Sequence, residues 1–169
     1  IASSNSNLTE VDPLIFKPLF NQNSAVCGFE TGDALLIKSS LAPAVKQVKN
    51  VDYQDKYTII PVLMKVTRGY TYADIEINGK LTRFITTHLE SLWDENKVPN
   101  AAKQASQLIE DQKSSSLPTV IIGDFNSDPR DPRPLTAENP GEQPVASDTC
   151  PAGSISCNAY KLMLQAGYT

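Results

Sequence analysis

The stretch Y-T-Y-A-D-I-E-I-N-G-K-L-T-R-F-I-T-T-H, residues 70–88, carries the clearest local signal for the fold. Its two halves are rich in β-branched and aromatic residues, and they flank the pair Asn78-Gly79. This pair suits a type I′ turn because both residues tolerate positive φ angles. A two-residue turn places Ile77 opposite Lys80, so the stretch predicts a β-hairpin of defined register.

The predicted register brings two opposite charges together. Counting back from the turn, Asp74 lies opposite Arg83, which is a favourable cross-strand pair, and Ala73 lies opposite Phe84. Alternate residues of a strand share a face. The second strand therefore ends at His88, on the face that carries Phe84.

A helix and a further strand follow the hairpin. Residues Asn100–Gln112 place four apolar side chains on one helical stripe: Ala101, Ala105, Leu108 and Ile109. Thr119–Gly123 is a short apolar segment typical of a buried strand. A strand, a helix and a strand in such a short stretch form a crossover unit, so the two strands are expected to run parallel.

The rest of the chain gives weaker signals. Three segments are predicted to be regular: a buried strand at Gly32–Lys38, a β-rich segment at Tyr57–Val66 with Pro61 at an edge or a bulge, and a last helix at Asn158–Ala166 with Gly167 in its C′ position. Three are predicted to be irregular: residues 1–25 apart from an extended piece at Leu14–Phe16, residues 39–56, and a long surface loop at residues 127–149.

Length and charge limit the possible classes of protein. The 169 residues suit one domain with a sizeable core, so residues 1–169 are interpreted as a single domain. The net charge of −4 and the pI near 5.0 argue against holding nucleic acid by bulk electrostatics. Six basic and two acidic residues between Lys38 and Arg68 form either a local basic cleft or a set of scattered, solvated side chains.

Three cysteines are present, and none of their spacings is that of a zinc site. Cys150 and Cys157 flank a short polar loop, whereas Cys27 stands alone. The pair is either a disulfide of a secreted protein or two reduced loop thiols.

Polar side chains follow both strands of the predicted crossover. His88 is the last polar residue of the first strand, and Asp124 and Asn126 come directly after the second. The carboxyl ends of parallel strands meet at one edge of a sheet, which is where ligands bind in open α/β sheets. His88 is also the only histidine in the chain, and histidine is the residue type that changes charge near neutral pH.

These three residue types suit the hydrolysis of phosphate esters. Asp124 can bind a hard divalent cation or orient a water molecule, and Asn126 can contact a phosphate oxygen or the metal. A protonated His88 can stabilise developing charge or protonate the leaving oxygen. The competing interpretation is structural, with Asp124 and Asn126 bonded to their own backbone in a turn and His88 serving only the core.

Four segments, in order along the chain, resemble one protein family. Ile121–Pro129, I-I-G-D-F-N-S-D-P, resembles the G-D-F-N segment of the endonuclease/exonuclease/phosphatase superfamily, the deoxyribonuclease I-like proteins. Phe84–Glu90, F-I-T-T-H-L-E, is similar to its T-H-L-E strand, and Gly32–Ile37 is similar to its G-x-A-I-L-I strand. Arg68-Gly69-Tyr70 is similar to the start of the next strand in secreted bacterial members. The resemblance spans residues 26–169.

The resemblance implies an α/β fold of the α+β type, as part of a four-layer α/β sandwich with mixed β-sheets. It also implies divalent-metal-dependent hydrolysis of phosphodiesters or phosphomonoesters, with Mg²⁺, Mn²⁺ or Ca²⁺ as the cofactor. In that setting His88, Asp124 and Asn126 are the catalytic residues, and Asp124 and Asn126 are also the metal ligands. The substrate is then a nucleic acid, a phospholipid head group or a small phosphate ester.

Two parts of the family pattern are missing from the sequence. The family begins with a strand and an L-Q-E segment whose Glu binds metal, and it ends with an S-D-H segment whose His is essential. Neither segment is found, and the chain opens with Ile1-Ala2-Ser3 rather than Met. We therefore expect this chain to be the central portion of such a domain, processed or cut from a longer chain. We expect it to be inactive by itself.

Three further expectations accompany this interpretation. The alternative function is a non-catalytic binding or scaffold module that retains the fold. Sheet edges left without a partner are expected to allow self-association. The cysteine pair and the extended 127–149 loop suggest a secreted or periplasmic protein, with no transmembrane segment.

Overall fold

The computed structural model describes residues 2–6, 9–11, 25–27, 30–60, 64–92, 94, 99–127 and 159–169. The strands within these residues are β1 (Ala2–Ser6), β2 (Thr9–Val11), β3 (Ala25–Cys27), β4 (Glu30–Ala34), β5 (Val45–Asp52), β6 (Tyr57–Ile60), β7 (Met64–Val66), β8 (Gly69–Ile77), β9 (Lys80–His88) and β10 (Thr119–Asp124). The helices are a 3-10 helix at Ser39–Ala44, α1 (Asn100–Gln112) and α2 (Ala159–Gln165).

A four-stranded mixed sheet with the order β10-β9-β8-β5 forms the centre of the fold. The predicted hairpin is confirmed as β8 and β9, in the predicted register with Asp74 opposite Arg83 and Ala73 opposite Phe84. Asn78 and Gly79 have φ angles of 51° and 74°, as a type I′ turn requires. β9 and β10 run parallel, which confirms the crossover.

The helices cover one face of this sheet. Tyr70, Tyr72 and Ile85 project from β8 and β9 into a core shared with α1 and α2. The helices contribute the following buried side chains to it: Ala101, Ala102, Ala105, Leu108, Ala159, Leu162 and Met163. The predicted bounds of α1 are confirmed, and the predicted last helix corresponds to α2, with Gly167 beyond it at a φ of 91°.

The opposite face of the sheet carries a pair of strands. β1 and β4 pair antiparallel and contact β8 and β9. Leu35, directly after β4, packs with Ala73 and Ile75 in a second apolar cluster, and Phe84 lies against it. A helical layer, a mixed sheet and a strand pair thus form an α+β fold, as expected.

The prediction of loop structure for residues 39–56 is wrong for residues 39–52 and confirmed for residues 53–56. Residues 39–52 form the 3-10 helix and β5, which pairs antiparallel with β8. A register shift between Val45 and Gln47 interrupts the alternation at the start of β5. Val48 and Val51 are three residues apart in an unbroken register, so they lie on opposite faces of the sheet. A bulged edge strand with mostly exposed side chains therefore carries no simple strand pattern.

Two predictions near the beginning of the chain also need correction. Residues 1–25 are not wholly irregular, because β1 and β2 lie there and pair with β4 and β3. The strand predicted at Gly32–Lys38 ends at Ala34, and Leu36 is 88% exposed. These short strands form through pairing with other segments of the chain, so their own composition indicates little.

Several predicted features lie outside the described residues. They are the extended piece at Leu14–Phe16, Pro61, residues 128–149 of the predicted loop, and the pair Cys150 and Cys157. The β-rich segment around Pro61 is confirmed on both sides, because β6 and β7 pair antiparallel there. None of the helices in the described ranges has the length and apolar character needed to cross a membrane.

Arg83 and Asp74 form a buried, bidentate ion pair beneath α1. The Arg83 Nε lies 2.7 Å from Asp74 Oδ1, and an amino group lies 2.8 Å from Oδ2. The other amino group donates to Gln112 at 3.0 Å, and the guanidinium stacks 4.0 Å from the ring centroid of Tyr72. The hydrogen bond to Asp74 raises the pKa of Arg83, so the arginine stays charged where it is buried.

We expect Asp74→Ala to destabilise the fold by about 3 kcal/mol, because it leaves the charge of Arg83 buried without a partner. The double variant Asp74→Ala with Arg83→Met should lose less, since no charge is then buried. Urea unfolding measures both.

Glu76→Ala is the matched control, because its ion pair with Lys46 is half exposed and should contribute less than about 1 kcal/mol. A double variant that is less stable than Asp74→Ala alone would contradict this account.

Candidate functional site

The parallel pairing of β9 and β10 brings the two predicted motifs to one edge of the sheet. Thr87 lies beside Gly123 and His88 beside Asp124 in the register of these strands. The Leu89 amide then donates to the Asp124 carbonyl at 2.9 Å, which continues the ladder beyond the end of β9. The convergence expected from the sequence is therefore found.

His88 and Asp124 face each other at this edge. His88 Nε2 lies 3.8 Å from Asp124 Oδ2, and the side chains are 40% and 63% exposed. This distance allows an ion pair when the imidazole is protonated, although it is longer than a hydrogen bond. A solvent-accessible imidazole and carboxylate are thus close enough to contact the same small ligand.

Asn126 forms a turn at the same edge. Its backbone amide donates to Asp124 Oδ1 at 2.8 Å, and its side-chain amide donates to the Leu89 carbonyl at 2.6 Å. Its φ of 47° lies in the left-handed region, which asparagine tolerates better than most residues. The turn interpretation is therefore correct, and the turn itself positions the two side chains beside His88.

Gly123 permits the close approach of β10 to β9. A Cβ atom at this position would lie 1.8 Å from the Thr87 carbonyl oxygen, and the φ of Gly123 is 145°. The glycine of the G-D-F-N segment is therefore required for the strands to meet at the site.

A buried hydrogen-bond chain supports the end of β9. The Thr87 hydroxyl donates to the Gly69 carbonyl at 3.0 Å, so the Tyr53 hydroxyl, 2.8 Å away, donates to Thr87. Burial raises the pKa of Tyr53, and the tyrosine remains a neutral donor. This chain connects β8, β9 and the segment before β6 directly behind the site.

Three charged residues that the sequence did not place at the site lie at this edge. Arg68 Nε donates to Glu90 Oε2 at 3.2 Å, and Glu90 is only 2% exposed. Asp33, on β4, interacts electrostatically with His88 and Arg68. Burial raises the pKa of Asp33, whereas the positive charges of His88 and Arg68 oppose that rise.

The sequence indicates the position of Glu90 better than it indicates the positions of Arg68 and Asp33. Glu90 follows His88 by two positions in T-H-L-E, so its place near the edge could have been found from the strand period. For Arg68, the sequence indicates a place in the fold only through the resemblance of Arg68-Gly69-Tyr70 to the start of a family strand. Asp33 reaches the edge because β4 packs across the sheet, and no local pattern predicts that packing.

The groups at the edge fit a hard divalent cation only in part. Asp124 Oδ2 and the amide oxygen of Asn126 are ligands of the right chemistry, and Mg²⁺ commonly uses one or two carboxylates together with substrate phosphates. Within the described residues, no group of three or more His, Cys, Asp or Glu side chains is arranged to hold a metal ion. Asp124 and Asn126 would therefore form one side of a cation site.

A mainly apolar groove of about 540 Å³ runs along the outer edge of β10. Among the described strands, β10 pairs only with β9. The groove is lined by Thr119, Val120, Ile121, Gly123, Phe125, Ser127, Tyr160, Met163, Leu164, Gly167, Tyr168 and Thr169.

Comparison with known proteins gives one informative match. The sequence model described as "Endonuclease/Exonuclease/phosphatase family" matches residues 8–160. No curated protein sequence matches the chain. Among solved structures, the chain is similar to the human Nocturnin catalytic domain with bound sulfate anion, at 14% identity and a TM-score of 0.35. That match covers 76% of this chain and 44% of the Nocturnin chain.

We expect Gly123→Ala to destabilise the fold by about 3 kcal/mol or more, because the new methyl group collides with the Thr87 carbonyl at a strained φ. Gly79→Ala is the matched control. Its φ of 74° is also positive, but no atom lies within 4 Å of the added carbon, so about 1 kcal/mol is expected. Thermal unfolding measures both, and equal losses would contradict the role given to the close approach.

Proposed function

The chain belongs to the endonuclease/exonuclease/phosphatase family, and on this premise we propose that it carries the central part of a divalent-metal-dependent phosphoesterase. The reaction is hydrolysis of a phosphodiester or a phosphomonoester. The observation that supports this proposal most directly is that His88 and Asp124, at the ends of two parallel strands, lie 3.8 Å apart at one edge of the sheet.

Asp124 has two separate tasks in the proposed reaction. Its Oδ1 accepts the Asn126 amide and maintains the turn, while Oδ2 faces His88 and can hold a cation or orient the attacking water. Asp124 and Asn126 would hold Mg²⁺, or Mn²⁺ or Ca²⁺ in its place. When bound, the cation supplies charge stabilisation at the phosphate oxygens.

His88 and Arg68 supply positive charge at the same edge. A protonated His88 can donate to a phosphate oxygen or to the leaving oxygen. Arg68 is oriented by Glu90 through its Nε, and a guanidinium offers further donors in a fixed plane. The donors of Arg68 and of a protonated His88 suit a phosphate group better than a neutral substrate, and a bound cation would offset the negative charges of Asp33, Glu90 and Asp124 at the same edge.

We further propose that the 169-residue chain does not turn over substrate by itself. Hydrolysis of a phosphate ester needs both an activated water and an acid for the leaving oxygen, and Asp124 and His88 are the candidates for these two tasks. The described residues include these candidates, but they do not form a complete metal site. Weak Mg²⁺ binding without hydrolysis is the expected behaviour of this chain.

The alternative is a non-catalytic binding or scaffold module that keeps the fold. One observation favours it, because the hydrogen bonds of Asp124 and Asn126 serve the turn and would be needed in a scaffold as well. A module of this kind would bind phosphate esters but would stay inactive in a longer chain that includes the flanking segments.

The substrate classes open to this site are a nucleic acid, a phospholipid head group and a small phosphate ester. We also propose a secreted or periplasmic setting, which is supported by the spacing of Cys150 and Cys157. Thiol counting on the denatured chain should find one free thiol before reduction and three after it, because Cys27 has no part in the bridge. Three free thiols before reduction would contradict the pair.

In a parent chain extended at both ends, we expect metal-dependent hydrolysis of a phosphodiester. Asp124→Ala should lower the rate by at least about a hundredfold, because it removes a cation ligand and a water-orienting group. His88→Ala should cause a similar loss. A panel of phosphate esters assayed with Mg²⁺ and with a chelator measures the activity.

Glu110→Ala is the matched control, because Glu110 is an exposed carboxylate of α1 that pairs with Lys113. Normal turnover by Asp124→Ala would refute the role of Asp124. An extended chain that binds phosphate esters but hydrolyses none would support the scaffold module.

We also propose that this chain self-associates through the open edge of β10. Val120 and Ile122 on that strand are 43% and 48% exposed, and an unpaired edge with apolar side chains favours strand addition. Light scattering after size-exclusion chromatography should show a dimer, and Ile122→Lys should shift it to a monomer. A wild-type chain that is monomeric at high concentration would contradict the proposal.

A further inference from the structure

Asp33 reaches the candidate site from a different layer of the fold. Thr31, Asp33 and Leu35 are less exposed than Gly32 and Ala34, so they form the inward side of β4 and the residue after it. This alternation turns Asp33 toward the sheet face that carries His88.

The neighbours of Asp33 on β4 locate it along the sheet. The Thr31 hydroxyl donates to the Thr67 carbonyl at 3.4 Å, next to Arg68. Leu35 packs against Ala73 in the apolar cluster. Asp33 therefore lies between a polar contact beside Arg68 and an apolar contact on β8, where its charge acts on Arg68 and His88.

Among the described residues, the carboxylates of Asp33, Glu90 and Asp124 lie at this edge, and they differ in how firmly they are held. Glu90 is buried, and it accepts bonds from Arg68 and from the Leu92 amide. Asp124 is held through Oδ1 in the turn. Within the described residues, Asp33 makes neither a hydrogen bond nor a direct ion pair through its carboxylate, so its charge acts on the site through space.

We propose that Asp33 acts as a charge filter that disfavours doubly charged phosphomonoesters relative to singly charged phosphodiesters at this edge. The inference rests on the proposed function for the identity of the ligand as a phosphate ester. It narrows the substrate class from phosphate esters in general to phosphodiesters. The other residues of the site do not distinguish between these two kinds of ester.

The physical reason is the dependence of electrostatic repulsion on ligand charge. A fixed carboxylate beside an anion site repels a dianion about twice as strongly as a monoanion at the same place. Arg68 and His88 attract both ligands, whereas Asp33 removes part of that attraction and removes more of it for the dianion. The filter weakens at high ionic strength because the edge is open to solvent.

The test compares methyl phosphate with dimethyl phosphate on the metal-free 169-residue chain at pH 7, where the monoester already carries close to two charges. The backbone amide of Asn126 reports binding by NMR, because it lies at the site in every variant. Asp33→Asn should bind dimethyl phosphate about threefold more tightly and methyl phosphate about tenfold more tightly.

Two further variants make the result specific. Asp33→Ser should behave as Asp33→Asn does, because both variants remove the charge, although Asn keeps the shape of the carboxylate and Ser does not. Glu76→Gln is the matched control, because it removes one negative charge at the opposite end of β8 and should leave both affinities unchanged.

The outcomes separate the inference from the proposed function. An affinity ratio that Asp33→Asn and Asp33→Ser leave unchanged, or that moves toward the diester, overturns the filter. If His88→Gln weakens phosphate binding in that case, the proposed site stands without it. If His88→Gln changes neither affinity, or if the wild-type chain binds neither ester, the proposed phosphate site fails as well.

Discussion

The contact of Gly123 with the Thr87 carbonyl is the constraint on which the site depends. β10 can pair in parallel with β9 only because no side chain occupies this position. The pairing sets Asp124 beside His88, and the Leu89 amide secures the end of both strands on the Asp124 carbonyl. A side chain here would separate the two strands and, with them, the imidazole and the carboxylate.

The groups at this edge combine structural and chemical tasks. One oxygen of Asp124 holds the turn while the other faces His88, and the Asn126 amide binds the Leu89 carbonyl while its oxygen remains a candidate ligand. Since the same atoms define the turn and the site, the backbone geometry fixes where the reactive groups lie. The placement therefore costs little additional conformational entropy.

Local signals predicted the hairpin, α1 and the crossover, because turn chemistry and periodicity act within a few residues. Asn78-Gly79 set the register that pairs Asp74 with Arg83, and the apolar stripe defined Asn100–Gln112. The same reasoning failed for β5, where a bulge breaks the alternation, and for β1, whose partner lies far along the chain. In both cases, pairing with a distant strand outweighed the local composition.

The sequence by itself determined the family, the α+β class and the convergence of His88, Asp124 and Asn126 on one sheet edge. These follow from ordered motifs and from the rule that a crossover unit makes its two strands parallel. Only the tertiary structure decided which other charges share that edge. Asp33 arrives on a strand packed against the opposite face of the sheet, and Glu90 fixes Arg68 from a buried position. Such neighbours depend on how layers stack, and stacking is set by the packing of the whole core rather than by any short stretch of sequence.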